Sequence, residues 1–425
     1  MNESTRFIQV HSLTSYCGVL LNRDDVGFAK RLSFGGKPRI RISSQCLKRH
    51  WRTFTGEHAL IELEIPLSVR SRYTFEELIY KPLISDGLSV DLAHFITQAM
   101  MDLVLGKSEK AKKNEEGNGN GGAAITTLQT SQVTVLGRPE VSFILENARV
   151  IAKLPEIKPI IEALGDLPAD EEEQKKALEK IQKDVKTIVS DNFSKTEKQN
   201  LQALQHASGL DTALFGRMVT SDVLSRADAA IHVAHSITTS AEEAEIDFFS
   251  VVDDLKPEGG SGHINQTELT SGIFYGYVVV DVPLLVSNLT ACHPDDWLKA
   301  DHSLAEQLLY NLVHMIATVT PGAKLGSTSP YAISHMVMVE MGRSQPRSLA
   351  NSFLQPVSSN PHLLENSYKA LVDHVTELDA MYGQPTFRNL KAIGQGAELL
   401  QTIRPFNEPA LDSLQELANW INTRD

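Results

Sequence analysis

The order in which two residue periodicities follow one another constrains the fold of this chain most. Phe7 to Leu13 has the character of a strand. A helix is expected over Ser44 to Phe54: Ser43 and Ser44 offer N-cap hydroxyls, and Leu47, Trp51 and Phe54 follow at spacings of four and three. Ala229 to Ile237 alternates, with Ala229, Ile231, Val233 and His235 on one face, and Gly272 to Val282 is rich in aromatic and branched residues. Leu304 to Thr318 reads as a helix that stops before Pro321-Gly322, and His335 to Met341 alternates as a last strand. The resulting β-α-β-β-α-β order predicts an α+β, ferredoxin-like or RRM-like sheet carrying two large insertions.

The first insertion separates the first helix from the second strand, from about Thr55 to Met218, with its body at 60–206. Asp170 and Glu171-Glu172-Glu173 open a surface helix whose apolar stripe is Leu178, Ile181, Val185 and Ile188. Residues 106–122 are rich in Lys, Glu, Asn and Gly and are expected to be a mobile loop. Gly106-Lys107-Ser108 imitates the end of a phosphate-binding loop, but Met101 stands where the earlier glycine belongs. The glycines at 117, 119 and 121 sit in low-complexity sequence without the strand and helix that a dinucleotide site needs. The second insertion, 240–271, reads as a long hairpin: strand-like Ile246 to Val252, a turn from Pro257 through Gly262, and a return through Ile264 to Leu269.

Charge points to the chemistry. Between Leu21 and Arg52 nine Lys and Arg face two Asp, in a chain whose formal net charge is -13. One basic block on an acidic body indicates a single anion-binding surface, and a phosphate backbone is the commonest polyanion it meets. Arg39-Ile40-Arg41-Ile42 alternates, so an extended segment puts both arginines on one side and both isoleucines on the other. Gln45, Lys48 and Arg52 continue that row along the helix, and Phe34-Gly35-Gly36 forms a turn that admits close backbone approach. A helix N-terminus and a set of cations are thus expected to face a short run of phosphates. Arg23, Lys30, Arg41, Ser43, Gln45, Lys48, Arg49 and Arg52 are the candidate phosphate and ribose contacts, with Lys324 a further one.

These motifs resemble a known family. Asn22-Arg23-Asp24-Asp25, Lys30, Phe34-Gly35-Gly36 and Arg39 to Arg49 look like the backbone subunit of Cascade, the type I-E CRISPR surveillance complex (the CasC family). Gly216-Arg217-Met218, Ala234 to Thr239, Asp247-Phe248-Phe249, Val252 to Leu255, Ser271 to Tyr275, Pro321 to Lys324 and Ser348 to Asn351 with Phe353 match in the same order, whereas Leu60 to His206 matches loosely. The resemblance implies a hand: a palm at 1–59, 207–239 and 272–425, helical fingers at 60–206 that contact a neighbouring copy and the target strand, and a thumb at 240–271 that reaches over the guide. It implies a non-catalytic subunit that binds CRISPR RNA, with copies assembling head to tail and no cofactor. Its partners would be other Cascade subunits and target DNA, the latter through the RNA–DNA hybrid. By position, Met218 and Phe249 match residues that wedge against bases, while sequence alone does not settle whether Phe248 or Phe249 faces RNA. A thioether and an aromatic ring stack on any base without reading it.

Other chemistries find less support. His232 and His235 would meet on a helix, but the alternation around them is strand-like and argues against a zinc pair. His11 and His50 flank the basic block without a second catalytic partner at a suitable spacing. Asp24-Asp25 and Asp253-Asp254 fit caps or arginine partners better than magnesium. The competing functions are a CRISPR-RNA-processing endoribonuclease on the same fold and a general single-strand binder. Three dispersed cysteines, no signal-peptide pattern and no apolar run of membrane length lead to the expectation of a cytoplasmic protein with no membrane partner.

Overall fold

The computed structural model describes residues 3–63, 65–106, 127–193, 195–204, 209–217, 224, 227–252, 255, 261–405 and 407–423. The loop expected after Gly106, with Lys107, Ser108 and its three glycines, lies outside them, as do Met218, Asp253, Asp254 and the hairpin tip at 256–260. The strands are β1 (Phe7–Val19), β2 (Arg31–Phe34), β3 (Lys37–Ile42), β4 (Val69–Ser71), β5 (Thr134–Leu136), β6 (Ile231–Val233), β7 (Ser236–Thr238), β8 (Ala244–Val252), β9 (Ser261–Asp281), β10 (Ser334–Gly342) and β11 (Phe387–Ala392). The helices are α1 (Ser44–Thr53), α2 (Lys81–Ser85), α3 (Val90–Leu105), α4 (Arg138–Ala152), α5 (Lys158–Gly165), α6 (Glu171–Asn192), α7 (Lys195–Ala203), α8 (Leu210–Phe215), α9 (Val282–Thr290), α10 (Ser303–Thr318), α11 (Leu363–Tyr382) and α12 (Leu414–Asn422). They form two compact units, Glu64–Ala229 and the remainder. Among the described residues no helix is long and apolar enough to cross a membrane.

The larger unit is an α+β structure built on one antiparallel sheet in the order β11-β10-β1-β9-β7-β3-β2, with β6 and β8 also pairing β9. One face packs Leu13, Tyr275, Met336, Met338 and Leu390 against Tyr368, Leu371 and Val375 of α11. Helix α10 packs on β1 and β10. The expected strand over Ala229 to Ile237 is two short strands instead, because the pairing with β9 slips by one residue between Val233 and Ile237. The hairpin of the second insertion is formed by β8 and β9, and β9 runs on without a break into the sheet.

A buried ionic network lies within the α11 side of the sheet. Arg388 and Arg347 both pair with Glu340 and Asp379, and the nearer contact of Arg388 with each acid is 2.6 Å. Burial alone would raise the pKa of Glu340, but the neighbouring His11, whose Nε2 lies 3.7 Å away, and the guanidinium groups of Arg388 and Arg347 hold it below the usual carboxylate range. His11 is itself buried, with Nδ1 2.8 Å from the Tyr275 hydroxyl. Burial lowers its pKa despite Glu340.

Strand β3 corrects one expectation. Ile40 and Ile42 do share a buried side, packing with Tyr16, Val19 and Phe274, but Arg39 is also fully buried rather than facing solvent beside Arg41. Its Nη1 donates to the carbonyls of Thr238 (2.8 Å), Thr239 (2.9 Å) and Ser240 (3.2 Å), and its Nη2 to that of Phe353 (2.7 Å). The guanidinium therefore joins β3, the root of the β8–β9 hairpin and the segment before α11. Gly35 and Gly36 close the β2–β3 hairpin with φ of 60° and 74°, and a Cβ on Gly35 would lie 1.6 Å from the Leu354 carbonyl oxygen.

Among its described residues the second unit is mainly helical, with the β4–β5 pair and an isolated bridge between Arg217 and Ala227. Asp170 caps α6 by accepting from the amides of Glu172 and Glu173, and Ile181, Val185 and Val189 form its buried stripe with Ile188 partly buried beside them. Residues 207–229, assigned above to the palm, fall in this unit. Two polar links account for that. Asp211 on α8 accepts from the amide and hydroxyl of Ser68 at 2.7 and 2.8 Å, and Arg217 donates to Glu140 at 2.6 Å.

Replacing Arg39 with Met should destabilise the protein by about 2–4 kcal/mol, read by urea unfolding, because four carbonyls lose their donor. Equal stability of the two proteins would contradict the linking role. A second prediction concerns pH. His314 on α10 is buried with its ring 3.9 Å from that of His58, and burial, then His58, lower its pKa to about 4 against the opposing charge of Glu57. A depressed folded-state value means that stability is fullest above the unfolded value of about 6.5 and declines as pH falls towards 4, by on the order of 3 kcal/mol. His314→Leu should flatten that acid limb, and an unchanged limb would assign it to other groups.

Candidate nucleic-acid interface

The described candidate residues lie on the larger unit, on a loop, a helix entry, a hairpin and the segment after α10. Asp24 shapes the loop. Its Oδ1 accepts from the amides of Val26 (3.1 Å) and Phe28 (2.9 Å), while its own amide donates to the Phe28 carbonyl (2.7 Å). Arg23 is exposed on this loop, bridged through backbone to Ala29. Asn22 then fastens the loop to α1: Oδ1 accepts from the Ser43 amide at 2.9 Å, and its carbonyl accepts from the Lys30 amide at 2.9 Å. The Lys30 carbonyl in turn accepts from the Arg41 amide at 2.8 Å.

Ser43 is the N-cap of α1, buried, with Oγ accepting from the Cys46 amide at 3.3 Å. Its hydroxyl thus serves the helix. The ring of Trp51 is buried and fixes the inner face, so Gln45 and Arg49 emerge exposed and Lys48 and Arg52 half-buried. No acid stands in the first turn to compete for an anion. Burial raises the pKa of Cys46, while Lys30 and Arg49 act on it in the opposite direction, which locates both cations around the start of this helix.

The nine cations of the block are not equivalent. Arg39 is internal, and Arg31 is neutralised by Glu242, at 2.6 Å, and by Glu268. Arg41 directs its Nε to the Arg31 carbonyl at 3.2 Å.

Helix α1 also touches the segment after α10. His50 Nδ1 donates to the Cys46 carbonyl at 2.8 Å, and Nε2 accepts from the Gly322 amide at 3.4 Å. Ala323 donates to the Leu20 carbonyl at 3.0 Å, so Lys324 leaves this segment from a fixed point. Its Nζ bonds the Thr267 hydroxyl on β9 and lies 4.8 Å from the ring centroid of Phe249 on β8. Phe249 is 38% exposed and Phe248, on the other side of the strand, 69%. The structure therefore brings Lys324 and Phe249 together. Strand alternation separates the two phenylalanines, a distinction that sequence spacing left open.

Sequence reasoning missed the contact between α1 and His235. His235 is exposed, and its Nδ1 accepts from the Ser44 amide at 3.0 Å. Desolvation, then the charges of Arg41 and Lys30, lower its pKa. Its place in the Ala234 to Thr239 motif was the available signal. The nuclease candidates fare differently: His11 is buried in the ionic network, and both ring nitrogens of His50 are engaged. Among the described residues no group of three or more His, Cys, Asp or Glu could hold a metal ion, and the three cysteines are unpaired.

Comparison with solved structures finds the same fold. A chain of a "CRISPR RNA-guided surveillance complex, pre-nicking" superposes with a TM-score of 0.72 at 21% identity, covering 98% of each chain. A chain of another "CRISPR RNA-guided surveillance complex" gives a TM-score of 0.64 at 19% identity, covering 98% of this chain and 100% of that one. A search of curated protein sequences finds no match. The sequence matches a family over residues 8–420, nearly its whole length, and the protein belongs to that family, described as CT1975-like protein within the Cas group.

Proposed function

We propose that this protein is a non-catalytic CRISPR RNA-binding backbone subunit of a Cascade complex of type I-E. Copies bind head to tail along one guide, join other Cascade subunits, and hold the RNA for pairing with target DNA in cytoplasmic antiviral defence. A heterologous contact whose rotation does not close generates such an open helical filament. Base pairing supplies the specificity and the protein holds the backbone. The order β10-β1-β9-β7 matches the 4-1-3-2 order of a ferredoxin-like sheet, which supports the palm; the β8–β9 hairpin is the thumb in this reading, and Glu64–Ala229 contains the fingers.

The observation that carries the reading is the continuous run of contacts from Lys30 and Arg41, along α1, through His50 and Gly322 to Lys324 and Phe249. It joins phosphate-binding chemistry at a helix entry to an aromatic ring on an extended hairpin. Arg23, Lys30, Arg41, Gln45, Lys48, Arg49, Arg52 and Lys324 take the backbone, and Ser43 supports them from the cap. Phe249 and Met218 stack on bases. The burial of His11 and the engaged ring of His50 favour binding over an endoribonuclease, since neither presents an imidazole ready for proton transfer.

Two substitutions probe the halves of this surface in one titration series. Replacing Lys48 and Arg52 together by Ala should weaken binding to all RNA sequences alike and shallow the slope of log K against log salt by about 1.4, two contacts at roughly 0.7 each. Phe249→Ala should leave the slope unchanged and alter the spacing of base protection along the RNA. An unchanged slope in the double variant would remove the α1 stripe from the groove.

A further inference from the structure

His235 stands where a regular strand would not put it. With unbroken alternation it would share the buried side of Ile231, but the slip in pairing between β6 and β7 leaves it exposed at the entry of α1. Its Nδ1 accepts the Ser44 amide proton at 3.0 Å. A nitrogen that accepts carries no proton, so the neutral ring holds its proton on Nε2. The charged side chains acting on the ring are Lys30, from the loop before β2, and Arg41, from β3; both disfavour an imidazolium. The contact with Ser44 disfavours it as well, since protonated Nδ1 could no longer accept.

We propose that His235 is an RNA-contacting residue whose Nε2–H, fixed in direction by the Ser44 amide, donates to a phosphate or ribose oxygen held beside Lys30 and Arg41. This role rests on the RNA-binding reading above and adds to it a neutral, directional donor among cations. Lysine and arginine bind an oxygen through charge from many approaches; a ring locked through Nδ1 offers one approach. The cap contact alone does not require an imidazole, because any acceptor at the place of Nδ1 satisfies the amide.

Two conservative substitutions separate contact from support. Asn places its amide oxygen near the position of Nδ1 and lacks the reach of Nε2; Gln places its terminal amide near Nε2 and gives up the Nδ1 acceptor. His235→Asn is expected to melt with the wild type and to bind single-stranded RNA about fivefold more weakly, whereas His235→Gln keeps most of the affinity. Running the same titrations with DNA of the same sequence identifies the acceptor. A loss with RNA alone assigns it to the ribose 2′-hydroxyl, and an equal loss with both assigns it to phosphate. Wild-type affinity in His235→Asn together with a lowered melting temperature in His235→Gln would overturn the proposal and leave His235 a cap only. Imidazole nitrogen-15 shifts of the protein alone test the tautomer without RNA, and a proton on Nδ1 would also overturn it. A wild-type protein that binds no RNA would instead sink the reading of the preceding subsection.

Discussion

The Arg39 guanidinium is the constraint on which the arrangement of the sheet-bearing unit depends. A buried cation without a carboxylate is tolerated only where backbone dipoles surround it, and here four carbonyls from two distant segments do so. Burial lowers its pKa. Because Thr238, Thr239 and Ser240 precede the β8–β9 hairpin and Phe353 lies before α11, this one side chain fixes where the hairpin departs relative to β3. The Glu242 amide donates to the Pro38 carbonyl at 3.0 Å and the Val357 amide to the Thr239 carbonyl at 3.0 Å, which reinforce the same junction. The arginines at 39 and 41 thus divide their labour along one strand, the first inward to the fold and the second toward Arg31 and His235 at the start of α1.

Charge is distributed to the same end. Glu242 and Glu268 cancel Arg31 at the hairpin root, and Glu268 also accepts the Ala29 amide at 2.5 Å, drawing the loop of Asn22 to Lys30 against the sheet. The cations that remain outward cluster about α1, in a chain whose formal net charge is -13. The hydrophobic support beneath is compact: Tyr16, Leu20, Ala29, Ile40, Ile42 and Phe274, with Cys46, Leu47 and Ala323 packed against them. Strand β1, the loop, β3, α1 and the segment after α10 therefore share one core, so that a shift in any of them moves the others.

Much of the fold was legible because periodicity reports burial. The four principal strand regions and two helices fall near their expected places, and the α6 cap was readable from Asp170 and the three glutamates. The slip between β6 and β7 was not, since it arises from pairing with β9, and local alternation holds no record of a partner's register. Arg39 was misread for a related reason: sequence reasoning takes a charged residue as exposed, and its acceptors are carbonyls some 200 and 314 positions away. Lys324 and Phe249 were each identified by motif, yet their contact depends on the path of the segment after α10. The second unit extended beyond 206 because Asp211 and Arg217 find partners near residues 68 and 140, which no local pattern announces.

The most direct test of the central claim is to mix the purified protein with CRISPR RNAs of graded length, first without metal and then with magnesium, and to follow particle mass and RNA integrity together. A backbone subunit predicts intact RNA in particles whose mass rises in steps with RNA length. Discrete cleavage products, or a single stoichiometry at every length, would contradict it.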